Sequence, residues 1–343
     1  MSAALSTRPA PWAFAAPWGA RGFVTDLDGT GPEGTGQDGP VHWIEFGPAG
    51  EPAPQAGPAG TPVVFVHGLG GSHLNWCLIG PQLAAGRRAV ALDLHGFGLT
   101  PGTRAGSTVE GNARLLDRFV REVIGTPVIL AGNSMGGLIS LLQASAAPET
   151  VQGLVLVDPA LPPPRLPDRQ VGNQFLLFAL PGLGEYYVRA VQSRRPPQLA
   201  VQHIIDLCFA DPSRADPAMM TASIALAAER QSRGPSSHAF LAASRSLMRV
   251  VGLRRRYWEM AASVRVPVLL ISGDADRLVP VAAIHQAAVR NPGWETVILP
   301  GVGHTPQLEV PGKVIGMVRD WLGRHFTPAG GLGGTGYAAA LRA

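Results

Sequence analysis

Short apolar, β-branched runs recur along the chain at 63–66, 89–92, 128–131, 154–157, 268–271 and 296–299. Each is apolar on both faces, as a strand buried inside a parallel sheet reads. Segments with helical periodicity lie between most of them, for example 107–124 and 135–147. Strand–helix alternation of this kind predicts an α/β fold with a doubly wound, mostly parallel sheet and right-handed crossovers. Two further strand-like runs, 23–27 and 41–46, flank GTGPEGTGQDGP at 29–40, which reads as a flexible hairpin insertion. One interval breaks the rhythm. It opens on Pro159, Pro162, Pro163, Pro164 and Pro167 and then shows helical stretches near 171–193, 198–210, 217–232 and 237–260. The expected organisation is an arm at 1–21, a core at 22–158 and 264–326, a helical insertion at 159–263, and a disordered tail at 327–343 containing GGLGGTG.

Composition narrows the class. The chain has 343 residues, 46% hydrophobic and 15% charged, which excludes a disordered chain. No run approaches the roughly 18 apolar residues of a membrane span. The net charge is +4, and Lys313 is the only lysine. No long basic run with interleaved aromatics occurs, so nucleic acid is not an expected partner. Arg254, Arg255 and Arg256 are the densest basic cluster and read as a solvated helix face. Cys77 and Cys208 sit in neither a CxxC nor a metal spacing. No N-x-S/T sequon and no apolar leader segment occur, so the expected location is cytoplasmic. Two GxGxxG strings, at Gly29-Gly31-Gly34 and Gly331-Gly333-Gly336, lack the strand before and the helix after that a dinucleotide site needs. No cofactor is expected.

In an open α/β sheet, ligands bind past the carboxyl ends of the strands. The residues there carry the candidate chemistry. Gly132-Asn133-Ser134-Met135-Gly136 fits G-x-S-x-G between a strand and a helix. Such a turn exposes the serine hydroxyl, with small residues two positions to either side, and aims the next backbone N–H from a helix start. The bland alternative is that Ser134 caps the helix. A serine needs a base. Of the histidines beyond Asp274, His285 and His325 fall in helices, and only His304 lies in a glycine-rich loop past a strand. The acid that orients an imidazole should follow a strand. Asp276 is preferred, Asp274 reads as a turn residue, and Asp158 is a third candidate. In His67-Gly68-Leu69, the Leu69 N–H is the expected second oxyanion donor beside that of Met135, and His67 reads as structural. A metal site from His67, Asp93 and His95 has no supporting spacing, so none is expected.

Taken together, HGLGGS at 67–72, DLHGFGLT at 93–100, GNSMGG at 132–137, GDADRLVP at 273–280 and GVGHTPQLEVP at 301–311 resemble the α/β-hydrolase fold superfamily, in its capped, serine esterase- and lipase-like branch. The resemblance covers roughly 22–326. It implies a Ser134, Asp276 and His304 triad, an oxyanion hole from the N–H groups of Leu69 and Met135, a supporting role for His67, Gly68, Gly132 and Gly136, and a cap at 159–263. Haloalkane dehalogenases and epoxide hydrolases of this fold carry an aspartate where this chain has Ser134. GNSMGG also resembles the C–C bond hydrolases of aromatic ring fission. Those carry an aromatic residue after the catalytic histidine, whereas Thr305 and Pro306 stand here. The insertion is rich in apolar residues, among them Phe175, Leu176, Phe178, Leu183, Tyr186 and Ile204. Part of these must form its own core. The rest, with Phe178 and Leu183 as candidates, predict an apolar acyl pocket. The expected function is hydrolysis of a small to medium hydrophobic ester through an acyl-enzyme. The alternatives are C–C bond hydrolysis and a non-hydrolytic ligand-binding role.

Overall fold

The computed structural model describes residues 6–10, 14–27, 40–47, 60–164, 177–192, 194–233 and 237–326. Of the expected hairpin at 29–40, residues 29–39 lie outside the described residues, as do the tail, Phe175 and Leu176, while Pro40 begins a strand. Nine strands form a single sheet: β1 Ser6–Pro9, β2 Ala20–Asp26, β3 Pro40–Phe46, β4 Gly60–Val66, β5 Arg87–Leu92, β6 Val128–Asn133, β7 Val151–Val157, β8 Val268–Gly273 and β9 Glu295–Leu299. Their order is β1-β2-β3-β5-β4-β6-β7-β8-β9. The first four pair antiparallel, and β5 through β9 run parallel in that order. Every expected strand is present. β1 was not foreseen, because all four of its residues are exposed and show no buried alternation. It joins the edge through backbone pairing, with Ser6 opposite Asp26.

The helices in chain order are α1 Gly80–Leu83, α2 Val109–Arg118, α3 Met135–Ala146, α4 Leu183–Tyr187, α5 Pro197–Cys208, α6 Pro217–Ser232, α7 Ser237–Gly252, α8 Arg254–Ser263, α9 Val281–Arg290, α10 Pro306–Glu309 and α11 Pro311–Phe326. Local chemistry sets several starts. Thr108 caps α2 by accepting from the Gly111 N–H, and Asp216 caps α6 by accepting from the Met219 N–H. Side chains alternate along the strands into two cores. Val64, Val66, Leu130, Leu154 and Leu270 pack with α2, α3, α8 and α9. Val63, Phe65, Ile129, Val155 and Leu269 pack with α11 on the other face. Between β7 and β8 the described residues hold helices α4 to α8 and no strand. The segment expected as one helix at 237–260 is two, broken at Leu253, whose backbone leaves the helical region (ψ 56°) directly after Gly252.

The chain steps from β4 to β5 on one side, then crosses back to β6 on the other. This switch opens a crevice at the carboxyl ends of β4 and β6, where HGLGGS and GNSMGG begin.

Candidate active site

Ser134 stands alone between the end of β6 and the start of α3, with φ 54° and ψ −118°. A non-glycine residue there is strained, and surrounding bonds must hold it. The Ser134 N–H donates to the Val157 carbonyl at 3.1 Å, and its own carbonyl accepts from Leu138 at 3.2 Å and Ala160 at 2.9 Å. The side chain makes no capping hydrogen bond, unlike Thr108 and Asp216. The turn closes only over glycine. A Cβ on Gly136 would lie 2.1 Å from the Val66 carbonyl oxygen, and one on Gly132 would lie 2.5 Å from that of Gly136.

His304 follows β9 and is buried. Its Nδ1 lies 2.6 Å from Asp276 Oδ2. Its backbone N–H donates to the Cys208 carbonyl at the end of α5, 2.6 Å away. Its carbonyl accepts from Asn133 Nδ2 at 3.1 Å, and the same nitrogen donates to Val157 at 2.9 Å. Asn133 therefore ties the serine turn directly to the histidine loop. Asp276 Oδ1 accepts from the Leu278 and Val279 N–H groups at 2.7 and 3.0 Å, which leaves Oδ2 to face the imidazole. Asp274 is exposed and accepts from the Gly301 N–H at 2.7 Å, as a turn residue does. Asp158 is fully buried at φ 41°. Burial first, and then the charge of Asp276, pushes its carboxyl well above the usual range.

The loop after β4 reaches the same place. A Cβ built on Gly68 would sit 3.1 Å from the Ser134 Cβ and 3.3 Å from Asn133 Oδ1. His67 is fully buried, with Nδ1 2.7 Å from the Gly68 carbonyl and Nε2 accepting from the Leu94 N–H at 3.1 Å. Those partners select the Nδ1–H tautomer. Burial pushes the ring's pKa down to about 4. Met135 opens α3, so its N–H has no intrahelical acceptor.

Beside this loop lies a buried network that the sequence reading missed. Asp93 accepts from His42 Nδ1 at 2.7 Å, His73 Nδ1 at 2.9 Å, and the N–H groups of His73 and Leu99 at 2.7 and 2.9 Å. Burial alone would raise its pKa, but His73 and His42 hold it well below the usual range. Among the described residues, His42, His73 and Asp93 form the one cluster close enough to hold a metal ion. It shares only Asp93 with the set weighed from sequence, since both nitrogens of His67 are engaged elsewhere. Glu309, almost fully buried, was missed too. It accepts from the N–H groups of Gly303, Ala210 and Asp211 at 2.7, 3.1 and 3.1 Å and pairs with Arg214 at 2.9 Å. A lone carboxylate in the apolar stretch after His304 was the available signal. Phe178 is 3% exposed and packs with Val188, Leu241 and Phe240 in a small core of the helical segment. Leu183 is 56% exposed.

The chain matches the model of the alpha/beta hydrolase family over residues 63–316. It is 27% identical over 317 residues to the dihydrolipoyllysine-residue acetyltransferase component of the acetoin cleaving system of Pseudomonas putida, covering 91% of this chain and 75% of that one. It is 26% identical over 271 residues to the 2-hydroxy-6-oxo-6-(2'-aminophenyl)hexa-2,4-dienoic acid hydrolase of Metapseudomonas resinovorans, covering 78% of this chain and 85% of that one. A thermophilic esterase from Thermogutta terrifontis has the same fold, with a TM-score of 0.64, 21% identity, and coverage of 85% of this chain and 97% of that one. Among the described residues, no helix is long and apolar enough to cross a membrane. By its motifs, its sheet order and this match, the chain belongs to the alpha/beta hydrolase family.

Proposed function

We propose that the protein is a serine hydrolase that cleaves a small to medium hydrophobic ester through an acyl-enzyme. The observation that carries this reading is the 2.6 Å contact between His304 Nδ1 and Asp276 Oδ2, on a loop bonded to the Ser134 turn through Asn133. With Nδ1–H donating to the carboxylate, Nε2 keeps its lone pair for the serine proton. Ser134 Oγ then attacks the ester carbonyl as Nε2 takes that proton. The N–H groups of Leu69 and Met135 receive the oxyanion. The imidazolium returns the proton to the departing alcohol, leaving an acyl group on Ser134. Water, deprotonated by His304, releases the acid. Residues 159–263 act as a cap over this site, and the Cys208 carbonyl that holds the His304 N–H belongs to it. The cap supplies selectivity, and the core supplies the chemistry. Cys77 and Cys208 are both buried and free, which suits a reducing, cytoplasmic setting.

Labelling by a fluorophosphonate probe tests the nucleophile, and a chain-length panel of p-nitrophenyl esters tests the substrate. Labelling lost in Ser134→Ala supports the reading. An unlabelled wild-type protein that turns over no ester overturns it. The likeness to a ring-fission hydrolase across 78% of the chain favours C–C bond cleavage as a second reading. A ring-fission dienone in the same panel decides between them.

A further inference from the structure

The loop that carries His304, residues 301–304, is held from two sides. On one side stand core residues. The Gly301 N–H donates to Asp274 Oδ1 at 2.7 Å, the Val302 carbonyl accepts from the Ala275 N–H at 3.0 Å, and the His304 carbonyl accepts from Asn133 at 3.1 Å. On the other side stands the helical segment between β7 and β8. Cys208, the last residue of α5, takes the His304 N–H on its carbonyl at 2.6 Å. Arg214 Nη1 donates to the Gly301 carbonyl at 2.8 Å and to Glu309 Oε1 at 2.9 Å. Glu309 Oε2 in turn takes the Gly303 N–H at 2.7 Å. No slack separates the two pieces. A Cβ on Gly303 would lie 2.2 Å from the Cys208 carbonyl oxygen and 2.7 Å from the Ala210 nitrogen.

Glu309 is the joint. Three of the four groups bonded to it, the Ala210 and Asp211 N–H groups and Arg214, belong to the helical segment, and the fourth is the residue before His304. Its side chain is 0% exposed, and among the described residues Arg214 is the one cation paired with it. A buried carboxylate depends on such a partner. Arg214 is itself oriented. Its Nε lies 3.3 Å from Asp211 Oδ2, while Asp211 Oδ1 accepts from the Ser213 N–H and hydroxyl at 3.0 and 2.6 Å. A planar guanidinium meets all three acceptors at once, which an ammonium cannot do.

We propose that Arg214 is a positioning residue for His304: through Glu309 and the Gly301 carbonyl it clamps the histidine loop to the helical segment. This rests on the His304 and Asp276 assignment above. The segment then sets the geometry of the base as well as the selectivity of the pocket. A displacement of residues 208–214 carries the His304 loop with it.

The test compares R214A, R214K and R249A with wild type. Arg249, in α7, also joins the helical segment to the core, but it pairs with Glu110 of α2 at 2.6 Å and not with the histidine loop. On p-nitrophenyl butyrate, R214A should lose about tenfold in kcat with KM within about twofold, because the base is displaced while the acyl pocket stands. R214K keeps a charge beside Glu309 without the fork and should lose only about threefold. R249A should match wild type. A second readout needs no turnover. The Nδ1 proton of His304, held 2.6 Å from Asp276, should give a far-downfield proton NMR signal. That signal should broaden or vanish in folded R214A and persist in R249A. A merely structural Arg214 would lower the urea midpoint and leave kcat and the ring proton of the folded protein unchanged. That result overturns the proposal, and so does an R249A protein that loses as much kcat as R214A. If R214A fails to fold, R214Q takes its place with the same expectations. A wild type that hydrolyses no ester defeats the functional reading alone, and the ring proton then judges the clamp.

Discussion

At the scale of single residues, the proposed site divides into groups that should react and groups that hold them. Ser134→Ala should abolish ester turnover while leaving the unfolding midpoint unchanged, because the hydroxyl makes no capping bond. The expected loss is several orders of magnitude in kcat. Asp276→Asn should cost up to about 10⁴ in turnover by favouring the wrong imidazole tautomer. Asp274→Asn should alter stability more than rate, since Asp274 serves the Gly301 turn. Steady-state kinetics on the three variants check the ranking, and the reverse order between the two acids would move the role to Asp274. His67 gives a pH prediction. Its folded pKa is depressed to about 4 by burial, so the neutral ring should persist through pH 5. The proton should bind only near pH 4, when Nε2 must give up the Leu94 N–H. The NMR titration of the His67 ring checks this, and a midpoint near 6.5, the unperturbed value, would show a ring open to water.

At the scale of elements, the site is assembled from loops tied to one another rather than from strands alone. Asn133 joins the end of β6 to the His304 loop, and Glu309 in α10 joins that loop to the end of α5. Glu309→Ala would leave three backbone N–H groups without their acceptor, while Arg214 would keep the Gly301 carbonyl and Asp211. A cost of about 3 kcal/mol is expected, read as a drop in the urea midpoint. Activity should fall with it, because the Gly303 N–H beside His304 loses its anchor. A variant with unchanged stability and rate would show that the loop holds itself. The strands were legible because each is a short apolar run with a fixed place in the alternation. β1 was not, since an edge strand with four exposed residues leaves no pattern. The break at Leu253 was hidden because helical periodicity continues across it.

At the scale of the molecule, the proposed division of labour has the core supply the chemistry and the helical segment between β7 and β8 set its selectivity. Each acyl methylene buried there is worth roughly 0.8 kcal/mol, so two should raise kcat/KM about tenfold until the pocket is full. A p-nitrophenyl ester series from acetate upward should climb and then drop. A flat profile, or a preference for charged acyl groups, would defeat the apolar pocket and leave the triad standing. Phe178 sits in the helical segment's own core, so a polar residue there should lower stability rather than flatten the climb. The sequence by itself determined the α/β alternation, the serine turn and the family, because these are written in contiguous residues: strand, glycine, serine, glycine, helix. The choice among Asp276, Asp274 and Asp158 was open in it. Only the tertiary structure put Asp276 against His304, Asn133 against a carbonyl 171 positions away, and Asp158 against Ser272, 114 positions on. Those contacts span crossovers of the sheet, and a polar residue's partner across a crossover leaves no periodic trace in its neighbours.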